Sequence, residues 1–164
     1  MNRFFSTLAV CIIWATTAQA HEYEHEHASA PTQEIVRAGS QASIIGSPDY
    51  FIGRVNVTPL FPANEHNSAT GAYVSFEPGA RSAWHIHPAG QRLVVISGTG
   101  LTQEWGKPIQ VIQTGDVVLC PPGVKHWHGA APTIAMTHLA VTNSIDGKSV
   151  IWMEKVSDDQ YNSH

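Results

Sequence analysis

Charge is scarce in this chain. Only 13% of its 164 residues are charged, with nine Lys and Arg against thirteen Asp and Glu and a formal net charge of -4. No basic run exists, so the electrostatic footprint of a nucleic-acid binder is missing. Cysteine is nearly absent as well. Of the two present, Cys11 lies in the apolar N-terminal stretch and Cys120 in the body of the chain, so no intrachain disulfide is expected. Long apolar runs are lacking too: the longest, Phe4 to Trp14, is too short to cross a bilayer. Sustained helical periodicity is also missing.

Glycine (13) and proline (10) are plentiful, and 43% of residues are hydrophobic. That balance fits a turn-rich β domain with a real core rather than a helical one. Residues 1–20 read as a secretory signal, with Arg3 as the positive end and Ala18-Gln19-Ala20 as a small-x-small cleavage site. A lipoprotein signal at Cys11 is the alternative, although Val10 is a poor residue before such a cysteine. The chain is therefore expected to be exported, periplasmic or secreted, with no membrane attachment after cleavage. His21 to His27 alternates histidine with acid. Such a tract can collect metal ions, but its polarity favours a solvated leader, and 21–33 is read as a disordered leader and linker. The folded domain is expected over 34–164.

From Glu34 onward, short apolar runs recur every eight to twelve residues between turn signals, the rhythm of an all-β barrel or sandwich. Expected strands are Ser43–Gly46, Gly53–Thr58, Ala72–Glu77, Ala83–His87, Gln91–Gly98, Leu101–Trp105, Ile109–Gln113, Asp116–Leu119, Lys125–Gly129, Thr133–Thr142 and Val150–Trp152. Turns are expected at Glu77-Pro-Gly79, Ser97-Gly98-Thr99-Gly100, Gln113-Thr-Gly115-Asp116 and Pro121-Pro-Gly123. Ser157 and Gln160 form a capping-box pattern that opens a short C-terminal helix.

Four residues carry the chemistry: His85, His87, Gln91 and His126. The first three lie between Gly79 and Gly98, and His126 comes after Gly115, Pro121 and Gly123. Residues two apart on a strand share a face, so His85 and His87 point inward together with Ile86 outside. Gln91 returns to the same region after the Pro88-Ala-Gly90 turn. Three neutral imidazoles and an amide oxygen suit Mn, Fe, Co, Ni, Cu or Zn, with coordination positions left open for catalysis. One His-x-His pair alone also fits ordinary half-buried histidines; two glycine-framed segments in order favour a metal.

The two segments resemble the signature segments of the cupins and cover Gly79 to Ala130. Two positions depart from the usual pattern: Gln91 stands where a glutamate ligand is common, and Ala130 where an asparagine is. A neutral amide leaves the ion's charge uncompensated, which favours polarising a bound oxygen over activating dioxygen. The stretches Glu77-Pro-Gly-Ala-Arg-Ser-Ala-Trp-His-Ile-His-Pro-Ala-Gly-Gln91 and Lys125-His-Trp-His-Gly-Ala-Ala-Pro-Thr-Ile-Ala-Met-Thr-His-Leu139 are similar to the small bacterial cupin hydroxynitrile lyases, which are manganese-dependent and R-selective. The likeness runs from about Ile35 through Gln160. It implies a single-domain jelly-roll barrel, Mn(II) as cofactor with Fe(II), Zn(II), Co(II) or Ni(II) as substitutes, and an aromatic cyanohydrin, or aldehyde plus cyanide, as substrate. A homodimer or homotetramer is implied as well.

His128 lies two residues after His126 and shares its inward face, which makes it the candidate general base. An inward histidine bonded only to backbone is the alternative. His138 should share a face with Met136, Ala140 and Thr142, and the resemblance gives it a role toward substrate or cyanide. Ala72, Val74 and Thr142 are expected to line the substrate pocket, with plain core packing as the alternative for the two apolar ones. Trp84, Trp105 and Trp127 read as core or interface aromatics, and Cys120 as a buried small hydrophobe. Two rivals from other classes remain: a cupin dioxygenase using iron or copper, and a non-enzymatic exported binder of metal or small ligands.

Overall fold

A computed structural model describes residues 32–163. The signal expected over 1–20 and the His-rich leader to residue 31 lie outside the described residues. By its internal contacts the chain divides between Glu34 and Ile35, and every strand belongs to the unit that begins at Ile35.

Among the described residues twelve strands are present: β1 (Ile44–Ile45), β2 (Phe51–Ile52), β3 (Val55–Phe61), β4 (Thr70–Phe76), β5 (Arg81–Ser82), β6 (His85–Ile86), β7 (Gln91–Glu104), β8 (Gln110–Gln113), β9 (Val117–Cys120), β10 (His126–Ala130), β11 (Met136–Thr142) and β12 (Ile151–Trp152). All pairings are antiparallel and link into one curled sheet. One half runs β1-β3-β4-β11 to the first part of β7, which also pairs with β9. The other half joins the second part of β7 to β8 and β10; β10 continues to β5 and β6, which pair with β2 and β12. The fold is all-β, with one short helix, α1 (Asp158–Tyr161), at the C-terminal end.

Alternating burial makes these strands. Along β11, Met136, His138, Ala140 and Thr142 are buried while the residues between are half-exposed. In the first part of β7, Gln91, Leu93 and Val95 are buried, whereas Arg92 and Ile96 are exposed. Their inward faces meet in a core of Val55, Val74, Phe76, Leu93, Val95, Ile112, Met136 and Ala140.

β7 departs from the sequence expectation. The sequence predicts two strands separated by a turn at Ser97-Gly98-Thr99-Gly100; one strand of 14 residues is found. Gly98 does take a positive φ of 79°, but it bends the strand rather than reversing it. Next to it, the β11–β7 register shifts between Thr137 and His138, which pair with Ser97 and Val95. This bulge at Ile96, together with Gly98, turns β7 from one half of the sheet into the other. A glycine is needed for a second reason: a Cβ on Gly98 would lie 1.8 Å from the Ala135 carbonyl oxygen. The expected strand Ala83–His87 is also replaced, by the two short pieces β5 and β6, which share β10 as a neighbour.

The C-terminal tail holds β10 in place. Trp127 faces away from the histidines into a second cluster with Trp84, Leu101, Val156 and Tyr161. Arg81 donates through Nε and Nη2 to the Val156 carbonyl at 3.2 and 3.0 Å, and its guanidinium lies 4.6 Å over the Tyr161 ring. The Tyr161 hydroxyl donates to the Ala130 carbonyl at 2.7 Å. Helix α1 is opened by the expected capping box, with Ser157 and Gln160 bonded reciprocally.

Comparing two glycines separates backbone strain from close packing. Gly98→Ala is expected to destabilise the fold by well over about 1 kcal/mol, because strain at positive φ and a clash add. Gly79→Ala, with a similar φ of 76° but open space around the site, should lose only the strain component. Urea denaturation of both variants checks this, and equal losses would refute the role assigned to Gly98.

Candidate metal centre and cavity

The strand pairings gather the predicted residues. His126 of β10 stands opposite His85 of β6, and Trp152 of β12 stands on the other side of His85. His87 lies just beyond β6, and its carbonyl accepts from the amides of both Gly90 and Gly123, at 3.1 and 3.0 Å. One carbonyl thereby ties the turn leading to Gln91 to the turn leading to His126. Gly90 is close-packed here, since a Cβ would come within 2.8 Å of the Cys120 carbonyl oxygen.

Backbone carbonyls set the imidazole tautomers. Nδ1 of His85 meets the Ala83 carbonyl at 2.9 Å, Nδ1 of His87 the Ser149 carbonyl at 2.6 Å, and Nδ1 of His126 the Val124 carbonyl at 2.9 Å. A carbonyl only accepts, so each Nδ1 carries the hydrogen and each Nε2 presents a lone pair. The Gln91 amide is oriented the same way. Its Nε2 donates to Thr142 Oγ1 at 3.1 Å, which leaves Oε1 as the free acceptor.

Among the described residues, five buried polar atoms have no partner: His87 Nε2, Gln91 Oε1, His126 Nε2, His128 Nε2 and His138 Nδ1. A buried unsatisfied polar atom costs about 1–3 kcal/mol, so five would rival the whole stability margin of about 5–15 kcal/mol for a typical domain. A bound group that uses these atoms resolves the difficulty. The donor chemistry, imidazole nitrogens and an amide oxygen, fits a divalent transition metal. His85, His126 and His128 have ligand atoms all within 4.8 Å of one another. The His87 ring lies 5.0 Å from that of His85 and 5.6 Å from that of His126, between centroids. Two groupings therefore overlap in His85 and His126: the expected set with His87 and Gln91, and the tighter triad with His128. The Nδ1 anchors distinguish them. His85, His87 and His126 are each locked to a carbonyl, whereas His128 Nδ1 faces His138 Nε2 at 3.2 Å.

Burial is the first cause of every histidine shift in this cluster. It holds His85 and His128 well below the ordinary imidazole value, with the neighbouring rings adding to the effect in both. It brings His87 down to about 4 against the opposing Ser149 carbonyl, and His138 to about 3. His126 is lowered as well. The whole group is neutral at pH 7 and offers lone pairs rather than charges.

A cavity of about 260 Å³ opens onto the rings of His85, His87, His128 and His138, whereas His126 is not among its lining residues. Its polar pole is His85, His87, Gln91, His128, His138 and Thr142; its apolar pole is Phe51, Val57, Val74, Ala140, Val150 and Trp152. Among the described residues, no Lys, Arg, Asp or Glu lines it. These side chains give an anionic ligand no countercharge, so any charge in this cavity would come from a bound ion. Val74 and Thr142 line it, Thr142 also accepting from the Gln91 amide. Ala72 is half-buried, pairs with Ala140 and Pro59, and is not among the lining residues. Phe51, Val57 and Trp152 join the lining; Val57 lies on the seven-residue β3, whereas Phe51 and Trp152 have no signal in the sequence, because the two-residue strands β2 and β12 carry no readable periodicity. Trp84 and Trp127 are buried in the second cluster and Trp105 is 51% exposed. Cys120 is buried, and desolvation pushes its thiol up to about 11, which makes it a poor nucleophile.

Comparison with known proteins yields consistent relatives. The cupin domain model matches residues 72–141. The (R)-mandelonitrile lyase of Granulicella tundricola is 56% identical over 128 residues, covering 78% of this chain and 98% of that protein. Among solved structures, a cupin-like protein from Thermotoga maritima shares 39% identity at a TM-score of 0.68, over 80% of this chain and 96% of its own. A cupin 2 conserved barrel domain protein from Rhodopseudomonas palustris shares the fold, with 20% identity and a TM-score of 0.59 over 74% and 81% of the two chains.

The geometry has two testable consequences. The cluster histidines return to about 6.5 on unfolding, so below that pH the unfolded chain binds more protons than the native one. Stability of the metal-free protein should therefore fall as pH drops from 6.5 through about 4 for His87 and on toward about 3 for His138. Thermal melts across this range test the sign; a flat profile contradicts it. Separately, Thr142→Val frees the Gln91 amide to rotate and should weaken metal affinity about 10–100-fold, read by chelator competition. Unchanged affinity would show that Gln91 does not depend on Thr142.

Proposed function

The chain belongs to the cupin family, and from that premise we propose that the protein is a metal-dependent hydroxynitrile lyase. It cleaves α-hydroxynitriles such as mandelonitrile to aldehyde and cyanide, and forms them in reverse. The observation that carries this reading is the 56% identity to the Granulicella tundricola (R)-mandelonitrile lyase over nearly all of that protein. The apolar pole of the cavity supports it, since a neutral cyanohydrin can bury its apolar part there.

His85, His87, Gln91 and His126 would hold the ion, Mn(II) in this reading, with Fe(II), Zn(II), Co(II) and Ni(II) compatible with the same donors. Bound there, the ion supplies Lewis acidity toward the substrate hydroxyl oxygen. His128 does the proton work. When its Nε2 lone pair is free, its hydrogen sits on Nδ1 and is donated to His138 Nε2; the hydrogen of His138 is then on Nδ1, one of the unpartnered atoms. The pair therefore presents an acceptor at one end and a donor at the other. His128 Nε2 takes the hydroxyl proton, the bond between the carbinol carbon and the nitrile carbon breaks with formation of the carbonyl, and His138 Nδ1–H donates to the departing cyanide. Return of the proton from His128 gives hydrogen cyanide and restores both rings.

The secretory-signal pattern of residues 1–20 supports export to the periplasm or beyond. Association into a homo-oligomer is supported by the exposed apolar residues Ile35, Val36, Ile44, Ile45 and Phe61. The direct test is mandelonitrile with the manganese-loaded protein, following benzaldehyde absorbance and released cyanide. Cleavage without oxygen consumption is expected; substrate-dependent oxygen uptake would instead indicate a dioxygenase. His128→Ala should keep its metal and lose about 10²–10⁴-fold in kcat. Full activity in that variant overturns the base assignment.

A further inference from the structure

The apolar end of the cavity has one feature that the proton chemistry does not use. Trp152 lines the cavity and is held from three directions by other rings. Tyr50 stacks on it almost in parallel, with centroids 4.8 Å apart and an interplanar angle of 11°. Phe51 meets it edge to face at 5.6 Å. The His85 ring lies 4.9 Å away, tilted by 47°. Phe51 is itself braced against Phe76 at 6.1 Å and also lines the cavity. The backbone fixes the same position, because Trp152 pairs directly with His85 across β12 and β6. An aromatic wall is thus set at a constant distance from the polar pole.

We propose that Trp152, with Phe51 beside it, determines specificity by packing against a planar aryl group on the substrate. This rests on the reading of the cavity as the site of an α-hydroxynitrile lyase and assigns the residues that would distinguish an aryl from an alkyl substrate. The wall is rigid before substrate arrives. Because Tyr50 backs the indole, an aryl group gains ring contact without first ordering the tryptophan. A small alkyl group in the same cavity touches far less of the wall. With no charged residue in the described lining, apolar contact and ring geometry are what remain to discriminate among neutral substrates.

The test compares Trp152→Leu and Trp152→Phe with the unaltered protein, on mandelonitrile and on lactonitrile, the cyanohydrin of acetaldehyde. Trp152→Leu should lower the ratio of kcat/KM for mandelonitrile over lactonitrile about five- to tenfold, mainly through KM for mandelonitrile. Trp152→Phe should restore most of that ratio. A ratio is used because any loss of metal through the neighbouring His85 scales both substrates alike. A ratio unchanged in Trp152→Leu overturns the proposal. A separate arm needs no turnover: ligand-observed NMR with benzyl alcohol, which is expected to bind the unaltered protein and to lose binding in Trp152→Leu. If benzyl alcohol binds in this way while mandelonitrile is not cleaved, the aryl wall stands and the lyase reading fails. If mandelonitrile is cleaved but benzyl alcohol binds both proteins equally, the lyase reading stands and the wall fails.

Discussion

Everything at this site depends on three hydrogen bonds from imidazole Nδ1–H to backbone carbonyls. The carbonyls of Ala83, Val124 and Ser149 belong to the local chain around the histidines or to the segment just before β12. They decide which nitrogen of each ring keeps its lone pair. Without them each imidazole could present a hydrogen to the cavity, and a group of buried rings would satisfy itself internally instead of being left with free acceptors. Among the described residues, five buried polar atoms without a protein partner mark a structure arranged around something it must bind. The hydrophobic core must then supply enough stability to keep those atoms enclosed.

The rest of the fold makes that enclosure possible. β10 carries His126 and His128 on one face and Trp127 on the other, so the outer cluster of Trp84, Leu101, Val156 and Tyr161 sets the depth of the two histidines. Tyr161 binds the tail to the end of the same strand, and Arg81 binds it to the neighbouring β5. β7 serves both halves of the sheet, bringing Gln91 to the cage at one end and pairing Glu104 with His126 at the other. A strand doing this must bend, and the bend needs a residue that tolerates both a positive φ and a carbonyl against its α-carbon. Gly98 meets both conditions.

The sequence shows some of this plainly and hides the rest, for physical reasons. The all-β class, the C-terminal capping box and the inward set Met136, His138, Ala140 and Thr142 are legible, because each is a local pattern of period two or a fixed offset. The two histidines of β6 and its extension are legible for the same reason. Gly98 reads as a turn because a glycine between other small residues looks identical whether the chain reverses or merely kinks; only the neighbouring Ala135 carbonyl distinguishes the two. The aromatic wall is invisible. Tyr50 and Phe51 lie about a hundred residues from Trp152, on or beside strands too short to show alternation, and the three meet only through pairing with β5 and β6. Thr142 is placed in the pocket by its alternation, but its bond to Gln91 depends on a contact between β7 and β11 that no spacing rule supplies.

The neutrality of the amide at position 91 matters to the histidines around it. A carboxylate there would favour the protonated form of nearby imidazoles and raise their pKa values, working against the neutrality that burial gives His85, His87 and His126. It would also have no hydrogen to give Thr142, so the hydroxyl would have to turn round and donate. Glutamine adds no charge, and although its side chain still favours the protonated form of His87, burial outweighs it there. The amide donates to Thr142 Oγ1 and keeps an acceptor facing the rings, in a lining that has no charge among the described residues. The neutral amide, the neutral histidine pair and the uncharged apolar wall are therefore one consistent choice. With a divalent ion held by these donors, the neutral groups around it would leave that ion as the dominant charge beside the cavity.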